Sequence, residues 1–207
     1  MLSQQKTVET LTKLVNAGVV SGVEVLNAML SSKISPDIPA IRLIEPYTLL
    51  DGEETIVPAD PEIPFAVVEM GFHGSLKGNS GLVFQKDKAR QFVEKVAGDD
   101  ADGEDFDIVS KGVLTEIGNI VLNRVMGVIS NALAVHLEYI VPNFFQGELD
   151  RLWQHSPDKA GIVASTQFRV DDFAAEGKIV VFFDEASFST LMTLIEEDAE
   201  GTEAVAE

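Results

Sequence analysis

Glu116 and Asn119 are the two side chains of this 207-residue chain whose types and spacing could do chemistry together. Three residues apart on a helix, they project from one side, and Asn123 follows one turn later. A carboxylate can pair with a cation, and a carboxamide can donate and accept hydrogen bonds, so it can hold a water molecule. The alternative is that both residues belong to an ordinary solvated helix surface.

An amphipathic helix over about residues 106–132 would position this pair. Its apolar residues recur at intervals of three and four, the spacing of one helix face. They are Ile117, Ile120, Val121, Val125, Val128 and Ile129. We interpret Asn123 as a surface or capping residue, with a third catalytic group as the alternative. The histidines have no metal-ligand spacing, so we interpret His73, His136 and His155 as structural or surface residues.

The composition restricts the classes of function that the chain can have. With 45% hydrophobic residues and 12 Phe, it has enough apolar side chains for a packed core. A net charge of −19 argues against partners with phosphate backbones and against an acidic membrane surface. Cysteine is absent, which removes disulfides, thiolate zinc sites and cysteine nucleophiles. The polar start does not resemble a signal peptide, and the apolar run 125–137 is too short for a membrane span, so we expect a soluble cytoplasmic protein.

The chain also reads as two similar halves, at about 4–98 and 106–197. Residues 11–16 align with 114–119, and in that register Pro39 falls on Pro142 without a gap. Towards the ends, 83–84 align with 182–183 and 92–93 with 191–192. We expect one α+β domain over 1–197, in which each half contributes a helix, three strands and a helix to a largely antiparallel sheet. Pseudo-twofold symmetry would relate the halves. Residues 198–207 are predicted to form an unstructured acidic tail.

Periodicity and turn residues predict the individual elements. The predicted helices cover 4–31, 87–96 with Asp87 as N-cap, about 106–132, and a segment that begins at Asp184. The predicted strands cover 34–44, 65–73, 81–84, 135–142, 161–170 and 178–183, the last one after a turn at 174–177. Acidic residues 98–105 form a linker. Segments 46–64 and 144–159 are predicted loops. Phe144, Phe145 and Trp153, in the second of these, are interpreted as core residues, with a partner-binding anchor as the alternative.

The most specific pattern is Glu116, two residues, Asn119, twenty-two residues and Pro142. Its second part recurs as Asn16, twenty-two residues and Pro39. On the first helix and following strand of a duplicated helix–sheet unit, this pattern resembles the CheC/CheX/FliY group. These proteins are phosphatases of phosphorylated CheY-type response regulators in bacterial chemotaxis. The resemblance covers nearly the whole chain and implies a CheC-like fold with long helices packed on the sheet.

The resemblance also implies a role for each motif residue. Asn119 would orient the attacking water, and Glu116 would pair with the active-site lysine of the receiver. The receiver would bring its own Mg²⁺, so this chain would need no metal or cofactor. A phosphorylated CheY-like receiver is the implied partner, with a CheD-like deamidase and a second copy of the chain as further candidates. No nucleic-acid or membrane partner is expected.

Three departures from the family pattern leave a second interpretation open. The family has Asp or Ser four residues before the Glu, where this chain has Gly112, and Ser110 is nearby but out of register. Lys13 replaces the carboxylate in the first half, so Lys13 and Asn16 would form a degenerate second site. The segments 46–64 and 144–159 are long enough to bind a partner or to block docking. Pro39 and Pro142 would set strand entry. The alternative function is therefore a non-catalytic module that binds receivers or flagellar partners.

Overall fold

The structure, a computed structural model, describes residues 4–30, 33–44, 64–97, 106–147 and 160–204. Among these described residues, each half has the order helix, four strands, helix. The first half comprises α1 (Gln4–Met29), β1 (Ile34–Pro36), β2 (Ala40–Ile44), β3 (Phe65–Gly74), β4 (Gly78–Gln85) and α2 (Lys86–Ala97). The second half comprises α3 (Phe106–Ala132), β5 (Leu137–Tyr139), β6 (Asn143–Gly147), β7 (Ala160–Val170), β8 (Phe173–Phe183) and α4 (Glu185–Ala204).

The strands form one antiparallel sheet in which the two halves interlock. Its order is β1-β7-β8-β4-β3-β5, with β2 also paired to β7 and β6 also paired to β3. The short strands of each half thus pair with the long hairpin of the other half. The fold class predicted from the sequence, a largely antiparallel α+β structure with long helices, is confirmed.

The pseudo-twofold symmetry is visible in the strand bounds. A shift of 103 residues, the register that places Pro39 on Pro142, converts 34–36 into 137–139 and 40–44 into 143–147. In the middle of the sheet Gly81 pairs with Val180, its own equivalent in the register that aligns 83–84 with 182–183. The symmetry axis therefore passes through this pair.

The axis also passes between α1 and α3, which cross in close contact. A Cβ added to Gly18 would lie 2.4 Å from the Cα of Val125, and one added to Gly22 would lie 3.2 Å from the Cα of Val121. The 103-residue shift relates Gly18 to Val121 and Gly22 to Val125, so the two contacts are equivalent by symmetry. Glycine is needed at this crossing because it lets the two backbones approach.

The main core lies between the four described helices, α1 to α4, and one face of the sheet. One side of α1 faces this core through Leu11, Val15, Val19, Val23 and Leu26. A smaller buried cluster lies on the opposite face of the sheet: Ile44, Phe65, Val67, Val83, Phe145, Val163, Val180 and Phe182. By length and composition, Ser110–Ala132 could span a membrane. Its packing against α1, β3 and β4 accounts for its apolar character.

The predicted strand 34–44 is divided in the structure, and the predicted strand 135–142 is reduced to β5. Within 34–44 the chain leaves the ladder at Asp37–Pro39, and within the second half it does so at 140–142. A proline ends each interruption, and proline has no N–H to donate to a strand partner. After Pro142 the pairing resumes, so the prediction of a loop was wrong for Phe144 and Phe145, which belong to β6 and pair with β3.

The second hairpin turns earlier than the sequence suggested. The turn lies at Asp171–Asp172, and Asp171 has a positive φ of 53°, which Asp tolerates better than most residues. The predicted turn at 174–177 is wrong, because these residues continue β8. Gly177 is required by packing instead: a Cβ there would lie 2.6 Å from Phe168 and 2.8 Å from Phe84.

The remaining differences concern the ends of elements. Helix α2 begins at Lys86, so Asp87 lies inside its first turn and is not the N-cap. Asp184 does cap α4, since its Oδ1 accepts a 2.8 Å hydrogen bond from the N–H of Ser187. Helix α4 continues to Ala204, beyond the start of the predicted tail at 198. The linker 98–105, the tail end 205–207, most of the two predicted loops, Trp153 and His155 lie outside the described residues.

Candidate functional site

Helix α3 presents Glu116 and Asn119 on the side that faces away from the core. Its buried residues Leu114, Ile117 and Val121 pack into the helix–sheet interior. Glu116 is exposed, whereas Asn119 is half-buried. Within the described part of the chain, Glu116 makes no hydrogen bond or ion pair, so its carboxylate is available to a cation from another molecule.

Gly118 sets the height of this site above the sheet. A Cβ on Gly118 would lie 2.5 Å from side-chain atoms of Val68 in β3, so any larger residue would push α3 outwards. Val15 occupies the equivalent position in α1. The segment of α3 between Glu116 and Asn119 therefore lies close to β3, and the sheet holds the backbone of these two residues.

The carboxamide of Asn119 is fixed by a second asparagine. Nδ2 of Asn123 donates to the backbone oxygen of Asn119 over 2.8 Å and to its Oδ1 over 2.7 Å. Both bonds are short for N–H···O contacts. The sequence favours a surface or capping residue at position 123, whereas the structure shows a bidentate contact with Asn119. The sequence signal for this contact is the position of Asn123 four residues after Asn119, because side chains four residues apart meet on the surface of a helix.

The chain that follows Pro142 pairs with the strand on which α3 rests. Val68, under Gly118, pairs with Phe144, two residues beyond Pro142. At the interruption between β5 and β6, the N–H of Ile140 donates to Gly71, and the side chains of Ile140 and Val141 are 56% and 85% exposed. Two exposed apolar residues, Ile140 and Val141, therefore lie at this interruption of the sheet edge.

The equivalent site on α1 has a different composition. Lys13 is exposed and Asn16 half-buried, at the positions of Glu116 and Asn119. Val20, 38% exposed, takes the position of Asn123, so Asn16 has no such partner. A second Glu-x-x-Asn sequence in α1 ends at Asn27, whose side chain exchanges hydrogen bonds of 2.8 and 2.7 Å with the backbone of Ile34. Asn27 therefore anchors β1.

Gly112 and Ser110 occupy different sides of α3. Gly112 is exposed, and a Cβ there would meet nothing within 4 Å, so a side chain of the family's type would fit without a clash. Ser110 is buried, lines a cleft between α2 and α3, and its Oγ has no hydrogen-bond partner in the structure. Ser110 faces away from Glu116, so it cannot take the place of the Asp or Ser that the family has at position 112.

The structure brings His73 and His136 together, which their spacing did not suggest. His73 Nδ1 lies 4.0 Å and His136 Nε2 3.9 Å from the carboxylate of Glu138, and all three side chains are more than half exposed. Among the described residues, no group of three or more His, Asp or Glu side chains has the arrangement of a metal site.

Comparison with solved structures places this arrangement among known folds. Thermotoga maritima FliY matches with a TM-score of 0.70 at 13% identity, over 96% of this chain and all of that one. The chain has a CheC-like fold. FliM of H. pylori, solved in complex with FliG, matches at 0.61 and 12% identity over 93% of this chain and all of that one.

A third match is Borrelia burgdorferi CheX, solved in complex with CheY, BeF3 and Mg²⁺. It has a TM-score of 0.52 at 18% identity, over 82% of this chain and 96% of that one. No family model and no curated protein matches the chain. The resemblance to the CheC/CheX/FliY group that the motif indicated is thus confirmed at the level of the fold.

Proposed function

We propose that this protein dephosphorylates the aspartyl-phosphate of a CheY-like receiver domain, with its site at Glu116 and Asn119. The observation that carries the proposal is the placement of this pair: both lie on the outer side of a helix held rigidly against the sheet, with Glu116 unpaired. CheX, which has the same fold, was solved in complex with CheY, and this complex supports a receiver as the partner.

In the proposed reaction, Asn119 holds a water molecule in line with the phosphorus. The water oxygen forms a bond to phosphorus as the bond to the aspartate oxygen breaks, and the carboxylate leaves with that electron pair. The proton of the water passes to the released phosphate or to solvent. A neutral carboxamide suits this task because it can hydrogen-bond the water without repelling the phosphoryl oxygens.

Glu116 would act by holding the two proteins together. Its exposed carboxylate would pair with the active-site lysine of the receiver, which fixes Asn119 over the phosphoryl group. The receiver's Mg²⁺ would neutralise charge on the phosphoryl oxygens, so this chain would supply mainly position. Gly118 contributes by keeping the backbone of α3 close to β3.

The direct test is Asn119→Ala, assayed by phosphate release from Mg²⁺-loaded phosphorylated receivers. We expect the acceleration over autodephosphorylation to fall by about 100-fold, because positioning of the nucleophile supplies most of the rate. Asn16→Ala is the matched control and should keep wild-type activity. Full activity in Asn119→Ala would refute the assignment, and no acceleration by the wild type with any of several receivers would refute the function.

The second candidate is a non-catalytic module that binds receivers or flagellar proteins. Gly112, which stands in the place of the family's Asp or Ser, favours this module. FliM, which has the same fold, was solved in complex with FliG, and this also favours it. A receiver pull-down separates the two functions: binding without phosphate release supports the module. A CheD-like deamidase partner, a homodimer and a cytoplasmic location stay predictions.

A further inference from the structure

We infer that Asn123 is a positioning residue, which holds the carboxamide of Asn119 in one orientation for the attack of water. The inference rests on the proposed function and adds a residue to that site. Asn123 lies one turn beyond Asn119 on α3 and reaches back to it with both bonds from a single nitrogen, 2.8 Å to the backbone oxygen and 2.7 Å to Oδ1.

The bond to Oδ1 is the one that matters for orientation. It determines which end of the Asn119 carboxamide faces Asn123, since an amide nitrogen can only donate and Oδ1 can only accept. Held in this way, Asn119 keeps both protons of Nδ2 and the second lone pair of Oδ1 for other partners. The amide protons can donate to phosphoryl oxygens while the free lone pair accepts a proton of the attacking water.

A merely structural role would need only the other bond. An asparagine in a helix can satisfy its amide with the backbone carbonyl four residues earlier, as Ser and Thr do with their hydroxyls. The additional bond to Oδ1 brings two half-buried carboxamides together on the surface that carries Glu116. Such a contact restricts the rotamers of Asn119 at the position where the chemistry is proposed.

The first half of the chain provides an internal comparison. Val20 stands where the second half has Asn123, and a valine cannot donate to Asn16. The half that has Lys13 in place of Glu116 thus also lacks the residue that would orient its asparagine. The carboxylate and the orienting asparagine occur together, in the second half alone.

The experiment compares Asn123→Val, Asn123→Asp and Asn123→Ser in the full chain. Asn123→Val copies the first half, Asn123→Asp keeps the shape but presents only acceptors, and Asn123→Ser can still bond the backbone oxygen but not Oδ1. Asn131→Val, at an exposed position two turns further on α3, is the matched control. Phosphate release from a phosphorylated receiver gives kcat and KM, and a BeF3-loaded receiver gives the Kd.

We expect kcat to fall about tenfold in Asn123→Val and Asn123→Ser, because a misplaced nucleophile slows the reaction without weakening binding. The kcat of Asn123→Asp should fall further, because the aspartate would turn Nδ2 of Asn119 towards itself. KM and Kd should stay within about twofold of the wild type, and Asn131→Val should leave all values unchanged. Wild-type kcat in Asn123→Val and Asn123→Asp, or equal losses in kcat and binding, would overturn the inference.

A second measurement keeps the inference separate from the proposed function. The NMR order parameter of the Asn119 side-chain amide, in the protein alone, should be high in the wild type and in Asn131→Val and lower in Asn123→Val and Asn123→Ser. If the wild type released no phosphate from any receiver, the proposed function would fail, and this measurement would still decide whether Asn123 orients Asn119. An order parameter that is unchanged in Asn123→Val would refute the contact itself.

Discussion

The two equivalent asparagines, Asn16 and Asn119, differ in their neighbours more than in their own exposure. Both are half-buried on the outer side of a long helix. Asn119 has an exposed carboxylate one turn before it and Asn123 one turn after it, whereas Asn16 has Lys13 and a valine in these places. Charge and orientation at single residues therefore separate the proposed working site from the degenerate one.

Reversing the charge at position 116 should give the proposed site the lysine that the first half has at position 13. We expect Glu116→Lys to lower kcat/KM by about 10- to 100-fold, because two lysines would then face each other across the interface. The loss should shrink at high salt, since ions screen exposed charges. Steady-state kinetics at two salt concentrations provide the measurement.

Lys13→Glu is the control for this reversal, and it should change kcat/KM by less than about twofold because Val20 still leaves Asn16 unoriented. An activity of Glu116→Lys close to that of the wild type would contradict the proposed pairing with a receiver lysine.

At the scale of elements, the crossing of α1 and α3 and the interruptions of the edge strands position the site. Gly18 and Gly22 allow the helices to touch, and Gly118 allows α3 to rest on β3. The interruption between β1 and β2 is closed by Arg169, which donates to both carboxylate oxygens of Asp37 over 3.0 and 2.7 Å. The equivalent interruption in the second half carries Ile140 and Val141, which are 56% and 85% exposed, whereas the first carries a single exposed apolar residue, Ile38, at 75%.

Adding a single methyl group at the helix crossing should destabilise the fold. Gly18→Ala places a Cβ 2.4 Å from the Cα of Val125, and relieving this overlap by moving the helices apart should cost about 1–3 kcal/mol in the free energy of unfolding. Urea denaturation measures the change.

Gly127→Ala is the matched control for Gly18→Ala. Its Cβ meets nothing within 4 Å, so it should stabilise the helix by up to about 1 kcal/mol. Equal stability of the two variants would show that the helices do not cross as described.

The Asp37–Arg169 pair should make stability depend on pH in the acid range. The hydrogen bonds and charge of Arg169 lower the pKa of Asp37 below its usual 3.8. A carboxyl group with a lowered pKa in the folded state stabilises the protein above its unfolded-state pKa, and this contribution is lost as the pH falls through the folded pKa. Asp37→Asn should therefore lower the Tm at pH 7.

The difference in Tm between Asp37→Asn and the wild type should disappear in more acidic buffer, below about pH 3. Thermal unfolding followed by circular dichroism at several pH values measures this convergence. Asp171→Asn, an exposed change in the neighbouring turn, serves as the control. A difference in Tm that does not depend on pH would contradict the ion pair.

At the scale of the whole molecule, neither half contains the pairing partners of its own short strands. β1 and β2 pair with β7, and β5 and β6 pair with β3. The sheet is therefore complete only when both halves are present, and the proposed site depends on this arrangement because α3 rests on β3 of the other half.

Separating the halves within 98–105 should abolish independent folding. We expect residues 1–98 and 106–207, expressed apart, to show no cooperative unfolding as monomers, because each would leave unpaired strand edges and a bare apolar face. Mixing the fragments should restore a cooperative transition, followed by circular dichroism. A cooperative transition in monomeric 1–98 would contradict the interlocked sheet.

Much of this architecture could be predicted because the signals are local. The helical stripes located α1 and α3 to within about two residues, and the alignment of Pro39 with Pro142 gave the register in which β1 and β2 map onto β5 and β6. The interlocking was not predictable, because pairing between β1 and β7 depends on packing across the chain. The contact between Asn123 and Asn119 could not be predicted because it depends on a rotamer, and Gly177 has the residue type of a turn because the sequence does not show Phe168 beside it.

The long separation between paired strands has a consequence for synthesis. The hydroxyl of Thr166 in β7 donates to the backbone oxygen of Asp37, 129 residues earlier in the chain. At about 5–20 residues per second on the ribosome, β1 and β2 would wait roughly 6–26 seconds for their partner. During that interval they are exposed edges, and Pro36 and Pro39 limit the hydrogen bonds that a foreign strand could make with them. The two prolines would thus protect the nascent chain from aggregation before the sheet can close.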